Sequence, residues 1–256
     1  MPSVVRLLAD PVRWRLMREL ASGDQRVREL VAMVSQPQNL VSYHLRQLRA
    51  GGLVSARRSS FDGRDTYYRL DLDSCARALS GAAFALHPGL SFSPSPVLSQ
   101  PVLSQPAASA AARRRVLFVC TGNSGRSPMA EALLRHRAGP RVEAASAGIR
   151  PKPVHPDAAA VMRDRYGLDI TGHQPVAVQA VARERFDCVI SLCDRAREAC
   201  PEFAGSPGRI HWSMPDPAAG EGGVSGYQAF ERAADELDTR IRFLLPGLDA
   251  VAGGAA

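Results

Sequence analysis

Val116-Leu-Phe-Val119 runs directly into Cys120-Thr-Gly-Asn-Ser-Gly-Arg126-Ser127, and a helix-like stretch from Pro128 to Arg137 follows. A short, wholly apolar run of this kind reads as a buried strand. The glycines after it read as a tight loop. A loop that leaves a strand and opens a helix is an anion site, because its backbone N–H groups and the helix dipole favour a tetrahedral dianion. The same field favours the thiolate of Cys120. Arg126 offers a planar fork that grips two oxygens. Ser127 can donate a hydrogen bond to the sulfur. Asn123 is one of the few residue types other than glycine that tolerates a left-handed backbone, as anion-cradling loops often require. Thr121, Gly122, Asn123, Ser124 and Gly125 therefore form the candidate oxyanion loop.

Outward from this loop, residues 113–256 alternate between the two element types. Candidate strands are 115–120, 141–146, 186–193 and 208–212; candidate helices are 128–138, 156–166, 195–200 and 225–245. That order implies an α/β unit with a parallel sheet covered on both faces. The carboxyl ends of parallel strands open into one crevice. Cys120, Ser146, Cys193 and the segment before Asp216 each follow a candidate strand, so the four are expected to meet. Asp216, in Pro215-Asp-Pro-Ala218, sits on a rigid turn and can serve as general acid or base.

Two further thiols narrow the chemistry. A phosphatase needs a thiolate, an arginine and an acid, and has no use for Cys193 and Cys200. In a helix, their separation of seven positions would part the Cα atoms by about 10 Å, whereas a disulfide wants roughly 4.4–6.8 Å. Bonding the pair requires the segment to loop or unwind, which makes it a redox switch with a mechanical consequence. Cys188 reads as core.

Residues 1–87 are of another kind. Helices are expected at Pro11 to Leu20, behind Asp10 as N-cap, at Val27 to Val34, at Asn39 to Ala50 and at Ser74 to Leu86. Gly51-Gly52 ends the third of these. Strands at 53–59 and 66–70 flank a turn containing Asp62-Gly63. This is a winged helix-turn-helix. Gln38, Asn39, Ser42, Tyr43 and Arg46 are the side chains expected against base edges, and Arg57, Arg58 and Arg64 suit phosphates or the minor groove. His44 reads as packing or a phosphate contact, and Cys75 as a buried thiol. Of the net charge of +7, residues 1–87 carry +5 and residues 113–256 carry +2, so the smaller half points to a polyanion partner.

Between the halves lies 88–112, a Pro/Ser/Ala-rich linker with the repeat Pro96-Val-Leu-Ser-Gln-Pro101-Val-Leu-Ser-Gln-Pro106. Its prolines exclude a membrane helix from the longest uncharged stretch. Arg6, Arg13 and Arg15 exclude a signal peptide from the N-terminal apolar run. A cytoplasmic chain is expected, and its five cysteines then read as reduced thiols or redox chemistry.

Two resemblances join this reading. Leu8-Ala-Asp-Pro-Val-Arg-Trp-Arg-Leu16 and Val41-Ser-Tyr-His-Leu-Arg-Gln-Leu-Arg-Ala-Gly-Gly-Leu-Val54 resemble the arsenic-repressor family of winged-helix regulators. This implies a homodimer, formed through the N-terminal domain, on an inverted-repeat operator DNA. One cysteine in this half cannot supply three thiolates to arsenite. The second resemblance rests on Val119 to Glu131, Ser146-Ala-Gly148, Leu168-Asp-Ile-Thr-Gly-His173, Leu192-Cys-Asp194 with Cys200-Pro201, and His211-Trp212 before Asp216-Pro-Ala218. These are similar to thioredoxin-coupled arsenate reductases, which share the low-molecular-weight tyrosine phosphatase fold. The resemblance implies a relay: Cys120 attacks arsenate, Cys193 attacks the arsenylated cysteine and releases arsenite, Cys200 resolves Cys193, and thioredoxin, an external reductant, reduces the disulfide. No bound cofactor and no metal are implied. Asn123, Glu131 and Ser146 match positions that hold potassium in some reductases, but Gln174-Pro-Val176 lacks the acid that goes with them. Gly125 stands where the family often has a second loop cysteine, with a looser loop as the expected result. Two alternatives stay open: a protein tyrosine phosphatase, against which Ala218 argues because those enzymes usually have an aromatic there, and a non-catalytic oxyanion-sensing regulator.

Overall fold

Asp10 caps the helix Pro11–Ala21 as its residue type predicts. Its Oδ1 accepts the N–H groups of Val12 and Arg13 at 2.9 and 3.0 Å, and Pro11 fills the first helical position. The computed structural model describes residues 2–90, 113–199, 203, 208–220 and 226–253. It divides into two units, Met1–Ala111 and Ala112–Ala256. Nearly all of the 88–112 linker lies outside the described residues.

The first unit contains α1 (Ser3–Leu8), α2 (Pro11–Ala21), β1 (Gln25–Arg26), α3 (Val27–Val34), α4 (Gln38–Ala50), β2 (Val54–Arg58), β3 (Thr66–Leu70) and α5 (Leu72–Leu86). The strands form an antiparallel sheet in the order β1-β3-β2. Leu16 and Leu20 of α2, Leu30 and Val34 of α3, and Val41, Leu45 and Leu48 of α4 bury their side chains together. Each such side chain stabilises the unit by about 1.5–3 kcal/mol relative to exposure. Ser35, at φ 52°, ends α3 in the left-handed region and turns the chain toward α4. Helix α1 and strand β1 are additions to the sequence reading. Both are too short to carry a readable period.

The second unit contains β4 (Arg114–Cys120), α6 (Arg126–Ala138), β5 (Val142–Gly148), α7 (Pro156–Tyr166), α8 (Val178–Val181), β6 (Cys188–Ser191), α9 (Asp194–Ala199), β7 (Gly208–His211) and α10 (Tyr227–Gly253). Its strands pair in parallel, in the order β5-β4-β6-β7. Val116, Leu117, Phe118 and Val119 are all fully buried. Successive side chains of a strand point to opposite faces, so both faces of the sheet are covered at β4. Helix α6 packs on β4 and β5 and against α10, while α9 packs on β4 and β6.

Of the boundaries that differ from expectation, two bear on the site. Helix α6 begins at Arg126, ahead of Pro128, because a proline anywhere in the first turn removes only an N–H that has no helical partner. Strand β6 stops at Ser191, so Cys193 lies past the strand end and just ahead of α9. Among the described residues, no helix is long and apolar enough to cross a membrane.

Candidate active site and nucleic-acid interface

The loop after β4 owes its shape to a segment that the sequence reading missed. The N–H groups of Ile149, Arg150, Lys152 and His155 donate to the carbonyls of Cys120, Thr121, Gly122 and Ser124, at 3.2, 2.8, 2.9 and 2.7 Å. The Gly125 carbonyl is taken by Met129 of α6 at 3.0 Å. With its carbonyls drawn outward, the loop is left to line its inner side with N–H groups, the arrangement an anion needs. Asn123 adopts φ 47°, as its residue type allows, and its N–H donates to Cys120 Sγ at 3.2 Å. Gly148 makes the close approach possible. It is paired with Cys120 across the sheet, and a Cβ there would lie 2.8 Å from the Asn123 nitrogen.

A buried hydrogen-bond chain leads to the Cys120 sulfur. Asn123 Nδ2 donates to Ser127 Oγ at 3.0 Å and to Ser146 Oγ at 2.8 Å. Ser127 Oγ also lies 3.0 Å from Cys120 Sγ, placed to donate its proton when that sulfur is a thiolate. On its other side, Asn123 Oδ1 accepts the Val176 N–H at 2.8 Å and faces His173 Nε2 at 3.1 Å. That oxygen can only accept, so His173 donates from Nε2. Burial lowers the His173 pKa, and nearby Arg135 adds to this, while Glu131 opposes it. Glu131 is buried and meets the Arg135 guanidinium at 2.6 Å, so a cation of the protein's own answers that carboxylate.

Arg126 is buried as the first residue of α6, and its Nη1 donates to the Met214 and Pro215 carbonyls at 3.0 and 3.3 Å. Its Nη2 lies 3.5 Å from Asp216 Oδ2. Asp216 itself begins a short 3-10 turn whose Ala218 N–H it accepts at 3.2 Å, and it stays solvent-accessible. Cys193 Sγ lies 3.2 Å from Thr121 Oγ1 and accepts the Ala196 N–H at 3.4 Å. Burial pushes the Cys193 thiol up; the charge of Arg126 and these hydrogen bonds pull the other way. Beside it, the buried carboxylate of Asp194 accepts from Ser213 Oγ at 2.7 Å and faces His211 Nε2 at 3.2 Å, which anchors the start of α9.

Cys120, Arg126, Ser127, Cys193 and Asp216 thus come together around the loop Thr121 to Gly125. Cys200 lies outside the described residues. Cys188 is buried in β6, its thiol pushed up by burial to about 12. One expectation is corrected. The missing second loop cysteine does not leave space at Gly125, because a Cβ there would stand 2.9 Å from Phe230 Cε1. The Phe230 ring stacks on His155 at 4.5 Å between centroids, and His155 is the residue bonded to the Ser124 carbonyl. No local sequence signal ties Phe230, in α10, to the loop. Among the described residues, no group of three or more His, Cys, Asp or Glu side chains could hold a metal ion.

In the first unit, α4 exposes Gln38, Asn39, Tyr43 and Arg46, and leaves Ser42 half-buried. On the wing, Arg58 and Arg64 are exposed and Arg57 is half-buried. His44 packs inward, with Nδ1 3.8 Å from Asp10 Oδ1, and is not available to a phosphate. Cys75 is buried and its thiol is pushed up by burial to about 11.

A parallel sheet whose central strand ends in a cysteine loop, joined in one chain to a winged helix-turn-helix, defines the class. Residues 115–252 match the profile described as low molecular weight phosphotyrosine protein phosphatase. The chain belongs to that family. Residues 10–56 match the bacterial regulatory protein, arsR family, so the N-terminal helix-turn-helix is of that type. The second unit is similar to an arsenate reductase of Bacillus cereus, 35% identical over 130 residues, which are 51% of this chain and 92% of the relative. An arsenate reductase of Halalkalibacterium halodurans is 34% identical over 131 residues, 51% and 94% of the two chains. A solved arsenate reductase in the phosphate-binding state is 28% identical, with a TM-score of 0.47, over 52% of this chain and 98% of its own. A low-molecular-weight protein tyrosine phosphatase from T. tengcongensis is 28% identical, with a TM-score of 0.44, over 52% and 99%.

Proposed function

We propose that this chain is a DNA-binding regulator fused to an arsenate reductase that works by a three-cysteine relay. The observation that carries the reading is Cys193, held 3.2 Å from the oxyanion loop at Thr121 and so beside the nucleophile's own loop. Hydrolysis of a phosphate ester has no role for a second sulfur there. The Cys120 thiolate attacks arsenic(V) and displaces one oxygen as water, giving a sulfur–arsenic bond. Cys193 then attacks the Cys120 sulfur; a disulfide forms, and the sulfur–arsenic electron pair leaves on arsenic, which departs as arsenite, arsenic(III). Cys200 attacks Cys193 in turn and frees Cys120. Thioredoxin, an external dithiol, takes up the resulting disulfide by the same exchange. Loop N–H groups and Arg126 hold the oxyanion, and Ser127 directs its proton at the Cys120 sulfur.

The first unit, on this reading, places α4 against operator DNA in the cytoplasm. Leu79, Phe84 and Leu86 on α5 and Val5 on α1 form an exposed apolar set on two helices that touch each other. That surface suits a homodimer, as two half-sites require. Phosphatase activity is a second reading, favoured by Asp216, an accessible carboxyl group 3.5 Å from Arg126 and placed to protonate a leaving group.

One pair of assays tests both. Arsenate-dependent NADPH oxidation is measured with thioredoxin and its reductase, and hydrolysis of p-nitrophenyl phosphate is measured in parallel. Cys193→Ser is expected to abolish arsenate turnover and to spare hydrolysis. Equal loss of the two would remove the relay.

A further inference from the structure

The wing of the first unit ends in an aromatic side chain, Phe61. β2 and β3 pair up to Arg58 opposite Thr66, and the turn 59–65 closes between them. This turn is held by its own hydrogen bonds. Ser59 N–H donates to the Asp65 carbonyl at 2.8 Å and Gly63 N–H to the Ser59 carbonyl at 3.1 Å. Ser59 Oγ accepts the N–H groups of Phe61 and Asp62 at 3.1 and 3.3 Å, and Asp62 Oδ1 accepts that of Arg64 at 3.2 Å. The base of the turn is clipped to the helix ahead of α4: Arg26 and Arg28 reach Asp65 at 2.9 and 3.3 Å, and Arg26 also holds Glu29 of α3 at 2.8 Å. From this rigid turn Phe61 projects with 51% of its surface exposed. Arg58 is exposed beside it, and the Arg64 side chain is 92% exposed.

We infer that Phe61 is a wedge for duplex DNA: its ring enters the minor groove beside the segment read by α4 and presses on one base step, while Arg58 and Arg64 take the flanking phosphates. The inference rests on the DNA-binding reading of the first unit. The charge around the ring favours this partner. Asp65 is held by Arg26 and Arg28, and Asp62 lies 4.0 Å from Arg64, so the four arginines Arg26, Arg28, Arg58 and Arg64 outnumber the three carboxylates Glu29, Asp62 and Asp65 and leave this end of the wing net positive. Arginines are drawn to the negative potential of a narrow minor groove. Apolar side chains inserted there partly unstack a step, most easily a flexible pyrimidine–purine one. A turn fixed beforehand loses little conformational freedom on insertion. A protein partner would instead find its apolar surface on α5.

The test uses the full chain and a duplex selected by it from a random library. Adenines beneath the expected wing position are replaced one at a time by 2-aminopurine. Wild type and Phe61→Tyr are expected to brighten the probe at one step, and Phe61→Ala to leave it dark. Phe61→Ala should bind about tenfold more weakly with an unchanged slope of log affinity against log salt, whereas Arg64→Ala should reduce that slope by about one. Thermal melting checks that each variant folds. Phe61→Ala binding and brightening like wild type would overturn the wedge alone. So would a loss of dimer in sedimentation, because the ring would then belong to a protein contact. Failure to select any duplex would overturn the DNA reading and the wedge together.

Discussion

On α4 of the first unit, Gln38, Asn39, Tyr43 and Arg46 stand in solvent above a dry layer of Val41, Leu45 and Leu48. On the loop and helix start of the second unit, Asn123, Arg126 and Ser127 are buried. Both sets are polar, and both are proposed to meet an anion. The difference lies in what holds them. An exposed side chain on a helix needs only the helix, and its partner arrives from outside. A buried one needs every hydrogen bond supplied from within, because an unmade one costs about 1–3 kcal/mol. Asn123 accordingly reaches Ser127, Ser146, Val176 and His173 at once. The first unit can therefore exchange its functional residues with little effect on its fold. The second cannot.

The strongest way to test this contrast is Arg126→Lys. The guanidinium bonds two carbonyls and stands beside Asp216, and in the proposed function its planar fork holds the oxyanion. An ammonium keeps the charge and loses the geometry. We expect turnover of both arsenate and p-nitrophenyl phosphate to fall by about 10²–10³, the loss typical of removing one oriented oxyanion donor. A drop smaller than tenfold in kcat/KM would mean that charge alone suffices and that the buried arrangement is not needed.

Next in size is the Gly125 contact. Gly125→Ala puts a methyl group against Phe230, and overpacking of this kind costs about 1–3 kcal/mol. Phe230→Leu should relieve it, so the double variant is expected to recover both urea stability and inorganic phosphate binding relative to Gly125→Ala. A double-mutant cycle measures the coupling directly. Additive losses would show that Phe230 supports the loop in some other way.

These examples also mark what was readable in the sequence. The strand, loop and helix around Cys120 are contiguous, so residue type and spacing sufficed to place Cys120, Arg126 and Ser127 together. The winged helix was readable for the same reason: α2, α3 and α4 carry their own periods and caps. Arg126's anchors at Met214 and Pro215, the clasp of residues 149–155 on the loop, and Phe230 all come from distant sequence, and no local pattern encodes such pairings. His44 shows a subtler limit, since its residue type leaves both packing and a phosphate contact open and the structure shows packing. Its neighbours Tyr43 and Leu45 point to opposite environments, and only the packed helix places its ring inside, near Asp10.

A smaller effect is expected from His173. Burial depresses its pKa below the unfolded value of about 6.5. Between the two values the unfolded chain binds more protons, so stability rises with pH across that window and falls as pH drops below about 6.5. In His173→Gln this dependence should flatten. Urea unfolding of the full chain at pH 7.5 and 5.5, followed at Trp212 in a Trp14→Phe background, reads the difference. An unchanged slope would place the pH sensitivity elsewhere.

The smallest effect belongs to the exposed face of the first unit. Tyr43→Ala and Arg46→Ala remove a large ring and a charge from α4, yet both side chains stand in solvent. Surface substitutions away from caps and packed positions usually change stability by no more than about 0.5 kcal/mol. Alanine is also the best helix former, which offsets what little contact is lost. Urea unfolding followed at Trp14 in a Trp212→Phe background should therefore give the wild-type midpoint, while affinity for a selected duplex falls. Were stability to drop by more than about 1 kcal/mol, beyond the usual surface range, these residues would be part of the unit's own scaffold. The distinction between a surface waiting for its partner and a site that holds itself together would then fail on the side where it is expected to be plainest.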